Sequence, residues 1–218
     1  NNTAVGNASL AANTTGAYNT AVGASAGQAV TTGTNNTLIG GLAGDAITTS
    51  SDNVAVGFDA LSANTTGGPN TAVGKGGLNA NTTGSNNTGL GRAALGNNTT
   101  ASNNTAVGHF ALLTNTTGAS NTSVGSGTLL SNTTASNNTA MGLNTLYTNT
   151  TGADNTSIGF ASTYYNTTGA NNTALGSLAL QTNTTASNNT AVGFASLCAN
   201  TTGGGNTAMG LCALNANI

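Results

Sequence analysis

Apolar and polar positions follow one another along this chain with a strict period. An apolar residue followed by glycine recurs at Gly6, Gly23, Gly40, Gly57, Gly74, Gly91, Gly108, Gly125, Gly142, Gly159, Gly176, Gly193 and Gly210, always 17 residues apart. Taking this glycine as phase 0, the unit reads N-T-A-V-G-x-x-A-L-x-x-N-T-T-G-x-x, thirteen times over, with no insertion or deletion. Phase 13 is Asn in every copy, phase 16 is always apolar, phases 8 and 9 are Thr-Thr in every complete copy, and phase 4 is Leu in ten. Phases 1, 2, 5 and 12 vary freely. A unit this short cannot bury its own apolar residues, so the period predicts an all-β fold, a β-solenoid. Coils stack, and each phase becomes a ladder of like side chains about 4.8 Å apart. Helical repeats need about 30 to 45 residues, and Gly, Asn and Thr are poor helix formers. T-A-V-G reads as the main strand, A-L as a second segment and N-T-T as a third, with turns near phases 0–2 and 10–12. Residues 1–218 read as one continuous solenoid, a rod on the order of 58 Å long.

Side-chain directions follow from alternation along the main strand. Apolar phase 16 is expected inside, with Thr at phase 14 beside it, and Leu at phase 4 forms the opposite wall. Phase 15 is then expected outside. It is nearly always Ala, Ser or Gly, with Leu38 the exception. Such a stripe suggests a subunit interface; the competing reading is a coil interior too narrow for anything larger. Phase 7 is Asn except at Val30 and Ile47, which lie in the two coils where phase 4 is Gly27 and Gly44. Bulk lost at one phase reappears three positions later, as a shared interior of fixed volume requires. Asn at phase 7 is therefore expected to point inward or along the corner, its amide bonded to backbone or to the Asn above and below. A second structural ladder is expected from the phase-13 residues Asn2, Asn19, Asn36, Asn53, Asn70, Asn87, Asn104, Asn121, Asn138, Asn155, Asn172, Asn189 and Asn206.

Composition narrows the function classes. Charged residues are 3% of the chain, with two Lys+Arg, four Asp+Glu and one His. This offers no basic footprint for nucleic acid and few groups for general acid–base chemistry. No stretch reaches the roughly eighteen apolar residues that a membrane span needs. The expected reading is a non-enzyme with no cofactor and no metal. His109 lacks the partners of a catalytic triad. It lies at variable phase 1 with Lys75 and Arg92, in three successive coils, so the three are expected to form a small basic ladder on the surface. Asp45, Asp52, Asp59 and Asp154 lack the regular spacing of a calcium-binding roll. Cys198 and Cys212 lie in neighbouring coils at phases 5 and 2; a bridge between them, free thiols and an interchain link all remain open. N-x-[S/T] sequons are dense. Those with an Asn at variable phase 12, namely Asn1, Asn35, Asn86, Asn103, Asn137, Asn171 and Asn188, are candidate glycosylation sites, with a by-product of the Asn/Thr-rich repeat as the plain alternative.

The unit NTAVGHFALLTNTTGAS at 104–120, and NTAVGFASLCANTTGGG at 189–205, resemble the NTAVG repeats of bacterial and phage tail-fibre-like proteins. They are also similar to the V-A-I-G repeats in the heads of trimeric autotransporter adhesins. The resemblance covers the whole chain. It implies a β-roll, left-handed and trimeric in the adhesin heads, displayed on a cell surface or virion for attachment. The leading expectation is a structural or adhesive extracellular fibre. The chain starts at phase 12 and stops at phase 8, so a copy stacked on its end would resume the pattern after a gap of phases 9, 10 and 11. This predicts head-to-tail self-association into filaments; a fragment of a longer polypeptide is the rival. Other readings are an ice-binding face built on the Thr ranks, and a tail-fibre shaft whose Phe58, Phe160 and Phe194 bind a surface receptor or glycan.

Overall fold

A computed structural model of the chain describes residues 1–216. The chain is an all-β solenoid of 17-residue coils. Each coil contributes one three-residue strand at phases 14–16, from Thr3–Val5 to Thr207–Met209. The thirteen strands follow one another in sequence order in one sheet. They pair in parallel and exactly one repeat out of step: Thr37 lies opposite Val54, and Thr156 opposite Thr173. Two compact units, Asn1–Ala106 and Val107–Ile218, make up the chain.

The A-L segment is not a second strand, nor is N-T-T a third. Both are turns. Phases 2 and 4 take positive φ in coil after coil, as at Asp59 (62°) and Leu61 (53°) or Asn144 (54°) and Leu146 (50°). The left-handed residues fold phases 0–7 into successive tight turns. In one coil the Ala43 N–H donates to the Gly40 carbonyl (3.3 Å) and the Ile47 N–H to the Gly44 carbonyl (3.1 Å). Other amides reach neighbouring rungs: Gly40 N–H donates back to Val22 O (2.8 Å), and Leu61 N–H donates forward to Gly77 O (3.0 Å). Backbone donors are thus satisfied between coils even where no strand exists. The phase-0 glycine is irreplaceable for two reasons. Its φ lies between 122° and 141°, a region essentially closed to other residues. A Cβ on Gly40 would also sit 2.5 Å from the Gly57 carbonyl oxygen of the next rung.

The strand faces are the reverse of the sequence expectation. Phase 15 is the buried position: Ala21, Leu38, Ala55 and Ala72 in the first unit, and Ala140, Ala174 and Ala191 in the second, have no exposed surface. Phase 16 points out, with Ile39 at 39% and Ile158 at 40% exposure, and Thr at phase 14 is half-buried on the same outward face. The cause is the width of the coil. At Gly89, another phase-15 residue, a Cβ would lie 3.0 Å from the Ala94 carbonyl oxygen and 3.5 Å from Leu78 Cγ. Only a small residue fits between the strand and the phase-4 leucine. The small-residue stripe is therefore interior, and the interface inferred from it does not exist. Leu61, Leu78, Leu95, Leu112, Leu129, Leu146, Leu180 and Leu197 do supply the opposite wall, all fully buried.

Candidate functional surfaces

Three side-chain ladders tie the rungs together. At phase 13, each asparagine Oδ1 accepts the backbone N–H of the next: Asn53 N–H to Asn36 Oδ1 (3.0 Å), Asn138 N–H to Asn121 Oδ1 (2.9 Å). In most coils its Nδ2 donates to a phase-10 carbonyl one coil on, Asn70 to Gly84 O (2.8 Å) and Asn121 to Ala135 O (2.9 Å); Asn53 Nδ2 instead donates to Ser50 Oγ (2.8 Å) and Asn36 Oδ1 (3.0 Å), and Asn189 Nδ2 is buried without a partner. At phase 7 the amides bond directly to one another, Asn81 Nδ2 to Asn64 Oδ1 (2.8 Å) and Asn132 Nδ2 to Asn115 Oδ1 (2.9 Å). They also donate to the same phase-10 carbonyls, Asn81 to Gly84 O (3.0 Å) and Asn132 to Ala135 O (3.0 Å). Two ladders thus converge on one oxygen, and both rows are buried apart from their end members. The third ladder is Thr at phase 8, whose hydroxyl donates to the phase-8 carbonyl above: Thr65 to Thr82 O (3.1 Å), Thr133 to Thr150 O (3.2 Å). Each buried hydrogen bond of this kind contributes about 0.5–1.5 kcal/mol. A broken rung costs more, because it orphans the partner.

The outward positions carry the variable chemistry. At phase 9, Thr is exposed in every complete coil, so of the Thr-Thr pair one rank faces solvent and the other is spent on backbone. Phase 12 is exposed as well, including Asn1, Asn35, Asn86, Asn103, Asn137, Asn171 and Asn188. Asn is frequent here because the backbone is left-handed, with φ of 58° at Asn86 and 63° at Asn103, a region that Asn tolerates better than most residues. The sequon-bearing amides are accessible, and two of them bond to a neighbouring carboxylate: Asn35 Nδ2 to Asp52 Oδ1 and Asn137 Nδ2 to Asp154 Oδ1, both 3.1 Å.

At phase 1, Lys75 and Arg92 are exposed in adjacent coils of the first unit, and His109 is exposed in the second. Lys75 Nζ lies 5.9 Å from the centroid of the Phe58 ring, within cation–π range. Phe58, Phe160 and Phe194 are each about half exposed. Sequence reasoning missed a denser aromatic group. Tyr147 and Tyr164 stack with ring centroids 5.0 Å apart and planes within 3°, and Tyr165 meets Tyr164 edge-on at 4.7 Å. The signal was available, since Tyr147 and Tyr164 are 17 residues apart at phase 5.

Cys198 is half-buried and Cys212 exposed, and both are free thiols. Cys198 Sγ donates to Gln181 Oε1 (3.7 Å). Burial, with a smaller effect from Cys212, pushes the Cys198 thiol above its ordinary pKa, which lowers its thiolate fraction and reactivity. Asp45, at phase 5, has a buried Oδ1 without a hydrogen-bond partner, and burial raises its pKa, with nearby Asp59 adding to the rise. Among the described residues, no three His, Cys, Asp or Glu side chains gather as metal ligands, no pocket opens, and no helix is long and apolar enough to cross a membrane. No family model, curated protein or solved structure matches the chain.

Proposed function

We propose that this chain is a structural segment of an extracellular fibre, a stiff spacer whose copies join end to end. The observation that carries the reading is the uniform coupling of rungs. Within each unit every coil is bound to the next by the same backbone register and by the phase-13 Asn and phase-8 Thr ladders, so stiffness depends on no single residue. A coil edge presents the same donors and acceptors that its neighbour uses, and a coil of another copy can continue the pattern. With charged residues at 3% of the chain, little repulsion opposes stacking. The resemblance to tail-fibre-like and adhesin-head repeats supports a place outside the cell. It also supports attachment through the variable outward positions, where Phe58, Phe160 and Phe194 lie at phase 1 and the Tyr147–Tyr164–Tyr165 group at phases 5 and 6.

Electron microscopy of the purified full chain tests the end-to-end part. Filaments with an axial repeat of about 4.8 Å are expected. Short discrete particles at high protein concentration would sink it.

A further inference from the structure

The outward face of the strands carries an unbroken aliphatic row that stays partly exposed. Phase 16 is partly exposed: Ile39, Val73, Leu90, Met141, Ile158 and Leu175 stand at 36–41%, and Val22, Val56, Val107, Val124 and Val192 are half-buried. In thirteen copies it holds only Val, Ile, Leu or Met. Phases 1 and 12, which also face solvent, take Lys, Arg, His, Asp, Asn, Pro and Gly as well as apolar residues. Strand propensity does not account for the restriction. Thr and Tyr form strands better than Leu or Met, and neither ever occurs there. Apolarity itself is what the thirteen copies share.

The rest of this face fits burial against a partner. Its other row, phase 14, is Thr in all copies but Val54, and no charged residue occurs in any of the strands. All backbone partners within a unit keep one register, so the two rows run without offset. Polar phase 12 borders the face on one side and mixed phase 1 on the other, the arrangement of an apolar interface core with a wetter rim. Large unpartnered apolar patches mark interaction sites in soluble proteins.

We propose that this face is the docking surface for a second copy of the chain, the two sheets packing through the phase-14 and phase-16 rows about a two-fold axis. The rung period selects the occupant. A partner must present side chains at the same spacing over many rungs, and the chain's own face does so at every rung, as identical sheets do in dry zippers. A two-fold arrangement uses the same patch on both copies. The area suffices as well. One rung of Thr and a half-exposed aliphatic offers on the order of 100 Å², so the rungs of one unit alone approach the roughly 800 Å² per partner of a stable interface. The pairing is lateral and does not depend on end-to-end growth.

Sedimentation equilibrium of the full chain tests it. The smallest particle is expected at twice 20.8 kDa. Val73→Lys combined with Ile158→Lys, both on outward side chains, is expected to halve the particle mass while leaving the far-ultraviolet circular dichroism unchanged. Halving reads the lateral contact even if the particle also grows end to end. Val73→Thr with Ile158→Thr keeps β-branching and strand propensity, and is expected to weaken pairing at least ten-fold. Thr66→Lys with Thr151→Lys, on the exposed phase-9 rank, is expected to leave the mass unchanged. A 20.8 kDa parent particle, a three-chain particle, or a mass that the phase-16 variants do not alter overturns the proposal.

Discussion

Two places in the coil interior depart from the common pattern, and they do so in opposite ways. In the first unit, phase 4 loses its leucine at Gly27 and Gly44, and the space is refilled by carbon. Leu38, the one large residue at phase 15, enters from the strand side, and Val30 and Ile47 replace Asn at phase 7. A Cβ on Gly27 would meet Leu38 Cδ1 at 2.6 Å, and one on Gly44 would meet Leu38 Cδ2 and Ile47 Cδ1, both at 2.8 Å. In the second unit, phase 4 loses its leucine at Thr163, and the space is refilled by hydroxyls. Ser157 Oγ donates to Ser162 Oγ (2.9 Å) and lies 3.0 Å from Thr163 Oγ1, while Ser162 Oγ also bonds to the Ala179 carbonyl oxygen (3.2 Å). All of these residues are buried. The difference teaches that the interior fixes volume first and polarity second. Either composition is admitted provided that the space is filled and polar atoms are paired.

The apolar solution carries a cost that the hydroxyl solution avoids. Val30 interrupts the phase-7 amide ladder, and Asn13 Oδ1 is left buried without a donor. Ile47 likewise removes the neighbour that Asn64 would otherwise have had below it. The phase-13 ladder crosses the same coils intact, Asn36 N–H donating to Asn19 Oδ1 (2.9 Å) and Asn53 N–H to Asn36 Oδ1 (3.0 Å). The invariant row thus holds the register where the variable row fails.

The largest effect is expected at Leu38. Leu38→Ala empties a space flanked by two glycines, with no phase-4 leucine in either coil to move into it. A loss of about 4 kcal/mol in urea denaturation is expected, near the upper end for a leucine truncation. Gly27→Leu on that background restores the common pattern. The backbone permits it, since Gly27 has φ 58° and leucines occupy phase 4 elsewhere at 48–54°. At least 2 kcal/mol should return, whereas Gly27→Leu alone should destabilise by about 1–3 kcal/mol through overpacking. Additive single and double variants would break the volume argument.

A smaller effect is expected at the hydroxyl group. Ser157→Ala leaves Thr163 Oγ1 buried without its partner, and a loss of about 2 kcal/mol is expected. Replacing Ser157 and Ser162 by Ala and Thr163 by Leu together converts the coil to the common apolar pattern. That triple variant is expected to melt within a few degrees of the parent, because both sides of each bond are removed at once. A triple variant less stable than Ser157→Ala would show that the hydroxyls contribute more than filled space and mutual pairing.

Particular residues show how much of this was legible in the sequence. The period gave the stacked coils, and the exchange of Leu for Gly at 27 and 44 against Val30 and Ile47 placed phase 7 inside. Leu38 stood out as an exception, yet its role needed the true direction of phase 15. Phase 16 carries the larger apolar residues and so reads as core, whereas a strand facing a phase-4 leucine in so narrow a coil admits only small side chains at phase 15. The turns at phases 2 and 4 were hidden for a different reason. Ala, Leu and Phe carry no preference for positive φ, so tertiary packing imposes a backbone that composition does not announce. Phases 1 and 12 were the easiest to read, since their variability marks exposure directly, whereas the uniform outward phases 14 and 16 carried no such mark.

The smallest expected effect sharpens the polar side of the comparison. Asp45 shares a coil with Gly44 and Ile47, and its unpaired Oδ1 contrasts with the paired hydroxyls around Ser157. Burial, rather than the neighbouring Asp59, is the larger cause of its raised pKa. A carboxyl whose pKa is higher folded than unfolded binds more protons in the folded state, so stability falls as pH rises. The decline begins near the unfolded value of about 3.9 and ends once pH has passed the folded one. Above that window the ionised group is a constant penalty; below it the penalty is absent. Asp45→Asn is therefore expected to raise the melting temperature slightly at pH 7 and to leave it unchanged at pH 3. The gain should be small because the side chain is largely solvated. An equal shift at both pH values would assign the effect to packing, and the unpaired oxygen would no longer distinguish the two regions.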